Sequence, residues 1–498
     1  KLYEYKKMVI DENEKMNLIG RSTIDDFDQR HLLDCIQIIK YLPHNEKTHM
    51  DIGSGAGLPG IVLSIIGYKN LHLVEKSPKK SIFLENCKSR LGLEYIIHNK
   101  SITDLKDLKV DFLTYQAKTT PHPLGMTVSR ASGSYIFDHT GKAYLDFVAG
   151  VSACSLGHCH PKVLAAIDQQ MKKYLHVMVY GEFAQEPAVK LSKAVLDLLP
   201  ENHESLYLTN SGTEAIEGAL KLAKRATGRT QLIGMENAYH GSTQGALSLL
   251  GRAEQKKGYY PLLPNVRFIR YNQLQDLDQI TEKTAGVIVE TIQGGAGFII
   301  PENNYLSKLK ARCEAVGALL ILDEIQPGFG RTGSFFGFDS FNVIPDIVVM
   351  GKGMGGGLPI GAFSSSKKLM VQLENHPKLG HITTFGGNPV IAAAAYATLK
   401  EIRDSDLMKE VHEKEALFRK ELNHPKIKQI NGKGLMLAPL LESEAHVNEV
   451  VFKCMEKGLL LFWLLWEKKA IRISPPLTIS KKEIQSGCTI IREVLDEL

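Results

Sequence analysis

Several things are scarce in this 498-residue chain. Tryptophan occurs only twice and cysteine seven times. The cysteines (Cys35, Cys87, Cys154, Cys159, Cys313, Cys454 and Cys488) form no CxxC pair, which excludes the usual spacing of zinc ribbons and thioredoxin-like motifs. Cys154, His158, Cys159 and His160 do cluster in CSLGHCHP. No second ligand pair follows at zinc spacing, so no metal is expected. Scattered thiols of this kind fit a reducing, cytoplasmic compartment. Long apolar runs are missing too. The longest, GLLLFWLLW over 458–466, falls well short of the ~20 residues of a membrane helix and reads as a buried strand. No signal-peptide pattern is expected at the start. Charge of one sign is also lacking: a net +5 does not by itself argue for nucleic acid or a membrane surface. What remains is an ordinary globular composition, 44% apolar and 23% charged, over a length that suits about two to four domains.

The centre of organisation is 320–352. An apolar run over 318–322 ends in Asp323, and another over 347–350 ends in Gly351-Lys352. Short apolar runs bounded by Gly and Pro read as buried strands. Each strand then delivers one charged residue at its end. A carboxylate and an amine from neighbouring strand ends suit pyridoxal phosphate, which needs a lysine for its Schiff base and an acid against its pyridine nitrogen. Taken alone, two such residues are more often an ordinary buried ion pair or two unrelated strand ends.

Other stretches point the same way. A strand over 206–208 runs into TNSGTEA and an Ala-rich helix over 215–226. Ser211, Gly212 and Thr213 at a helix N-terminus offer free N–H groups and the positive dipole end, a cradle for phosphate; plain N-capping is the simpler role. A strand over 232–235 precedes NAYHGST, where Tyr239 offers an aromatic face to a ring and His240 follows it. A strand over 287–289 ends in Glu290. Arg472 lies in AIRISPPLTI, and its planar fork suits a carboxylate.

DEIQPGFGRTG followed by GKGMGGGLPIGA resembles, nearly residue for residue, the lysine-cofactor signature of the class III (subgroup II) aminotransferases, the acetylornithine, ornithine and 4-aminobutyrate group. The resemblance covers nearly all of 112–498. It implies an α/β chain of fold-type I, with a large α/β/α domain over 166–395 and a small α+β domain built from an N-terminal segment, 112–165, and the C-terminal residues 396–498. It implies that pyridoxal 5'-phosphate is held by Ser211, Gly212, Thr213, Tyr239, His240, Glu290, Asp323, Gln326 and Lys352. In that scheme Asp323 keeps a proton on the ring nitrogen and Gln326 bonds the phenolic oxygen. Lys352 forms the aldimine and then serves as general base and acid. Glu290 faces the substrate and pairs with Arg472, which takes the α-carboxylate. In HITTFGGNP, Thr384 would reach the phosphate of a neighbouring subunit, which implies a homodimer with shared sites. The implied activity is ping-pong transfer of an amino group from an amino acid or ω-amine to a 2-oxo acid. A cofactor-binding scaffold without turnover, and racemase or mutase chemistry on the same cofactor, are the other readings. One departure bears on substrate: many relatives carry an arginine after the His-Gly pair, where this chain has Ser242. A second carboxylate thus loses one anchor, leaving either a monocarboxylate such as pyruvate or some other base.

Residues 1–111 read differently. Apolar spacing suggests helices over 1–17 and 31–42. MDIGSGAGLPG then reads as a strand, a glycine turn and a helix over 61–66, followed by a strand over 71–74 ending in Glu75, a helix over 81–91 and a strand over 95–98. This is the β-α-β-α-β half of a Rossmann-like fold, with Gly53, Gly55 and Gly57 letting a ligand approach the backbone and Glu75 placed for ribose hydroxyls. NLIGRSTIDDFDQRHLLDCI and DIGSGAGLPGIVLSI resemble the glucose-inhibited division B family, the 16S rRNA guanine-N7 methyltransferases. That implies S-adenosylmethionine on Gly53, Gly55, Gly57, Leu58 and Glu75, and ribosomal RNA as partner. The family's acid after the third strand has no counterpart in 99–103, and the resemblance stops near Val110-Asp111, where the second pattern begins without a linker. SAM-dependent rRNA methylation is therefore the alternative activity, and truncation argues against it: a half-sheet leaves apolar surface and an edge uncovered.

Overall fold

The computed structural model describes residues 1–42, 48–99, 108–375 and 377–498. They form two compact units, Lys1–Thr127 and Val128–Leu498.

The first unit is built on three parallel strands, β1 (His49–Ile52), β2 (Leu71–Val74) and β3 (Ile96–His98), in the order β1-β2-β3. Helix Gly60–Ile65 follows the glycine turn. Helix Pro78–Leu91 starts sharply because Ser77 caps it and Pro78 fixes its first residue, and it stops at Gly92 in left-handed backbone. Leu71, Leu73, Ile61 and Leu84 pack beneath the sheet with Tyr5 and Val9 of helix Leu2–Asn13. The opposite face is open. Met50, Ile52 and Ile96 are 45%, 54% and 53% exposed, and between them the rings of His72 and His98 stack at 5.1 Å. The bare apolar surface anticipated for a half-sheet is therefore present. Two expectations need correction. The helix over 31–42 is a run of changing pitch, Asp28–Leu33, Asp34–Gln37 and Ile38–Tyr41: Leu32, Cys35 and Ile39 turn inward while Leu33 and Ile36 stay exposed. The chain also does not divide at 111/112. A continuous helix, Leu108–Tyr115, crosses that point, and the first unit ends at Thr127.

In the second unit a meander of β4 (Val128–Ser132), β5 (Tyr135–Asp138) and β6 (Ala143–Asp146) comes first. A large sheet follows, made of β7 (Ser205–Thr209), β8 (Gln231–Met235), β9 (Val266–Ile269), β10 (Thr284–Glu290), β11 (Leu319–Asp323), β12 (Ile347–Gly351) and β13 (Gly361–Ser365). Its order is β7-β13-β12-β11-β10-β8-β9, and β13 alone runs antiparallel to its neighbours. Both faces are covered, as the near-continuous apolar strands require. Val287, Val289, Leu320, Leu322, Val348 and Met350 enter one core, while Ile288, Ile321, Ile347 and Val349 enter the other with helix Gly212–Thr227. Gly218 lets that helix lie on the sheet: a β-carbon there would sit 2.3 Å from the Phe363 ring.

The C-terminal part contributes β14 (Gln429–Lys433) and β15 (Met436–Leu440) as a hairpin, then β16 (Leu459–Leu460), β17 (Phe462–Trp463) and β18 (Ile471–Arg472). β16 adds in parallel to β6, so the N-terminal meander and the C-terminal region share one sheet. β17 pairs with β18 in another. The expectation of one buried strand over 458–466 is thus corrected. The run breaks at Leu461 between two short strands, and Phe462 and Leu465 emerge from the core.

Candidate active site

The carboxyl ends of β10, β11 and β12 lie side by side. Glu290 and Asp323 are register partners at the ends of β10 and β11, and Lys352 directly follows β12 with a left-handed φ of 41°. Ligands of open α/β sheets bind outside such strand ends. Here the ends open into a cavity of about 470 Å³. Gly212, Thr213, Tyr239, His240, Glu290, Asp323, Gln326, Lys352 and Arg472 all line it. One cleft thus holds both the amine and the carboxylate that the sequence places at two strand ends. Ser211 stands just behind the wall, its Oγ accepting the Glu214 N–H at 3.3 Å as a helix cap. Thr384 is exposed and lies outside this cavity.

Burial sets the electrostatics. Lys352 is half-buried at the cavity wall, and desolvation, aided by the Arg472 cation, lowers its pKa to about 8. Its amine makes no hydrogen bond to a described residue. Glu290 is pushed up to about 7, chiefly by burial, and its oxygens accept the N–H groups of Tyr239 (2.9 Å) and Gly294 (2.7 Å). The expected Glu290–Arg472 pairing is therefore corrected. Among the described residues the two form no ion pair, because backbone amides fill the carboxylate and Arg472 Nε donates to the Trp463 carbonyl at 3.2 Å. Burial lowers Arg472 to about 10. Asp323 is held from two sides, by His240 Nδ1 at 2.7 Å and by the Ile325 N–H at 2.9 Å. Gln326 Nε2 reaches Ser152 Oγ at 3.4 Å.

Pyridoxal phosphate fits this donor set. Among the described residues, two buried polar atoms of the cavity, His240 Nε2 and Arg472 Nη1, have no partner, and buried polar groups ordinarily find one. A helix N-terminus suits the phosphate, a fixed carboxylate suits the ring nitrogen, and an untethered amine suits the aldehyde. Sequence reasoning missed part of the wall, notably Val151, Phe462, Trp463 and Leu465. The aromatic pair inside an apolar run was the available signal.

In the first unit the glycine turn and Glu75 do come together, but on each other. Glu75 Oε2 accepts the Gly55 N–H and Oε1 the Ser77 N–H, both at 2.8 Å. The acid expected to face a ribose instead grips the turn. Gly57 serves packing, since a β-carbon there would meet Ile61 at 2.4 Å, whereas Gly53 has open space. Leu58 is half-buried against the core. Asn99 donates to the Glu75 carbonyl; residues 100–103, the remainder of the stretch that lacks the family's acid, lie outside the described residues.

The seven-stranded sheet and the lysine-bearing cavity at its strand ends define a fold-type I, pyridoxal-phosphate-dependent transaminase. Residues 115–495 match the family model for aminotransferase class-III, and the chain belongs to that family. Acetylornithine aminotransferase of Aquifex aeolicus is 36% identical over 374 residues, 74% of this chain and 96% of that protein. The enzyme of the same name from Clostridium acetobutylicum is 37% identical over 383 residues, 74% of this chain and 96% of the other. Among solved structures, ornithine aminotransferase from Toxoplasma gondii is 30% identical with a TM-score of 0.73, covering 79% of this chain and 94% of its own. A Bacillus anthracis aminotransferase reaches 0.75 at 25% identity, covering 80% and 99%. Residues 1–123 match the model for rRNA small subunit methyltransferase G. No helix among the described residues is long and apolar enough to cross a membrane.

Proposed function

We propose that the transaminase works through Lys352, Asp323 and Arg472 by a ping-pong exchange, and that both amino donor and 2-oxo acceptor carry a single carboxylate. The observation that carries this reading is the opening of Lys352 and Asp323, from adjacent strands, into one cavity. Bound pyridoxal phosphate supplies an aldehyde for Lys352 or the substrate amine, and a protonated ring that draws electrons from the substrate carbon. The chain does the rest. Lys352, pushed down to about 8, gives up its proton far more readily than an exposed lysine and can take and return the proton at the substrate carbon. Asp323, fixed by His240 and the Ile325 N–H, keeps the ring nitrogen protonated. Ser211, Gly212 and Thr213 would hold the phosphate, and Tyr239 and Gln326 would hold the ring. Arg472 Nη1 takes the α-carboxylate, with Glu290 beside it.

Among the described residues, Arg472 is the one arginine and Lys352 the one lysine lining the cavity; Ser242 and the apolar Val151, Phe462, Trp463 and Leu465 line it as well. A distal carboxylate would therefore meet no arginine or lysine among the described residues, which favours an acceptor such as pyruvate over 2-oxoglutarate. Thr384, exposed and outside its own cavity, is the residue a second subunit would receive, so a homodimer with shared sites belongs to this reading. So does a division of the second unit into a large domain over 166–395 and a small domain completed by 396–498. Seven unpaired thiols, five of them buried, support a cytoplasmic setting. Amino-group transfer measured across a panel of amines and oxo acids tests all of it. Transfer to pyruvate is expected; turnover with 2-oxoglutarate alone would sink the substrate assignment, and a spectrum unchanged in Lys352→Ala would sink the site.

A further inference from the structure

Four consecutive residues, Ala149, Gly150, Val151 and Ser152, have positive φ of 49°, 59°, 58° and 67°. Left-handed backbone is unfavourable for any residue with a β-carbon, and most of all for β-branched Val151. Such a run persists only where its surroundings over-determine it. Here the surroundings converge on one carboxylate. Asp146, buried at the end of β6, accepts the N–H groups of Val148 (2.7 Å) and Ala149 (3.0 Å) on Oδ1. Its Oδ2 lies 2.8 Å from Nε2 of His158. His158 is fixed in turn by paired backbone hydrogen bonds with Gly133. The Asp146 carboxylate, helped by the Cys154 thiol, holds the imidazole in its protonated form, with its pKa pushed up to about 10.

The turn touches the cavity residues or their neighbours from several sides. Val151 lines the cavity. Ser152 Oγ accepts from Gln326. Gly353, next after Lys352, packs so closely that a β-carbon would lie 2.5 Å from Ser155 Oγ and 3.4 Å from the Ser152 carbonyl. Ser474, two residues beyond Arg472, donates its Oγ to the Val148 carbonyl at 3.0 Å and its N–H to the Phe147 carbonyl at 2.7 Å.

We propose that the Asp146–His158 pair is a positioning device for the active site: by holding the turn over 149–152 left-handed, it fixes Gln326, Lys352 and Arg472 relative to one another. The inference rests on the roles proposed for those three residues. Neither Asp146 nor His158 lines the cavity, so both act through the turn.

The test uses the full-length, cofactor-loaded protein with His158→Ala and His158→Gln, the latter keeping an N–H that can reach Asp146 Oδ2. For His158→Ala we expect kcat to fall about tenfold with little change in KM for the amino acid, the pattern of a lost transition-state arrangement. The absorption spectrum of the bound cofactor should shift as well, and His158→Gln should recover most of both. A folded His158→Ala protein with wild-type kcat and spectrum overturns the proposal. So does a lower melting temperature with kcat per loaded site and spectrum unchanged, which would mark a purely structural pair. If His158→Ala does not fold, Ser152→Ala cuts the contact to Gln326 and leaves the pair intact. The same spectral shift is then expected, and a wild-type spectrum overturns the proposal. Should the wild-type protein transfer no amino group at all, the proposed function fails, while the spectral comparison still judges the turn.

Discussion

The chain holds a parallel sheet and a mainly parallel one, each with a glycine turn and an acid at a strand end, and they fare differently. In the seven-stranded sheet every central strand is buried on both faces, and the strand ends open into a walled cavity. In the three-stranded sheet one face is packed and the other bare, and Glu75 is closed onto its own turn. The turn motif is therefore insufficient for a binding site. Helices on both faces and segments from distant parts of the chain supply the walls, and an acid can face a ligand only where other groups leave it room.

The largest effect that would sharpen this contrast is Lys352→Ala. Amino transfer should drop by about 10³-fold or more as the nucleophile and general base are lost, together with the visible absorbance of lysine-linked cofactor. Glu75→Ala should leave transfer unchanged; a comparable loss there would break the comparison. Next, Arg472→Ala should raise KM for the carboxylate substrate by about 30- to 100-fold, in line with losing a charge-assisted pair of hydrogen bonds, read from steady-state kinetics. Core truncations should separate the sheets in urea melts. Ile288→Ala, fully enclosed, is expected to cost about 2–5 kcal/mol, whereas Ile96→Ala on the bare face should stay within about 0.5 kcal/mol. The smallest effect concerns pH. Burial and the Arg472 cation disfavour charged Lys352, so its amine becomes free at lower pH than an exposed lysine. The rate at which cofactor-free protein captures pyridoxal phosphate should rise with pH through about 8 and then level off. In Arg472→Ala the rise should move to higher pH; a shift to lower pH would contradict the assignment.

Much of the site was legible because strands buried on both faces leave unmistakable apolar runs, and the charge that ends each run marks the strand end. Asp323, Glu290 and Lys352 were found this way, and the glycine before a long Ala-rich helix located Gly212 and Thr213. What escaped was of another kind. An apolar run does not distinguish core from cavity wall, so Phe462, Trp463 and Leu465 read as the interior of one strand. Backbone amides carry no sequence signature, so the filling of Glu290 by Tyr239 and Gly294, and of Glu75 by Gly55 and Ser77, was invisible. The left-handed turn over 149–152 was equally hidden, since only one of its four residues is glycine.

The ladder between β6 and β16 has a consequence for synthesis. Leu145 pairs with Leu459, so the partner of this strand leaves the ribosome long after the strand itself. Domains tend to fold as they emerge, and distant pairings close late. Phe462 and Trp463 ride on that same late segment, so the aromatic side of the cavity is the last to be assembled, and a nascent chain stalled before it would carry the catalytic lysine in a cleft still open to water.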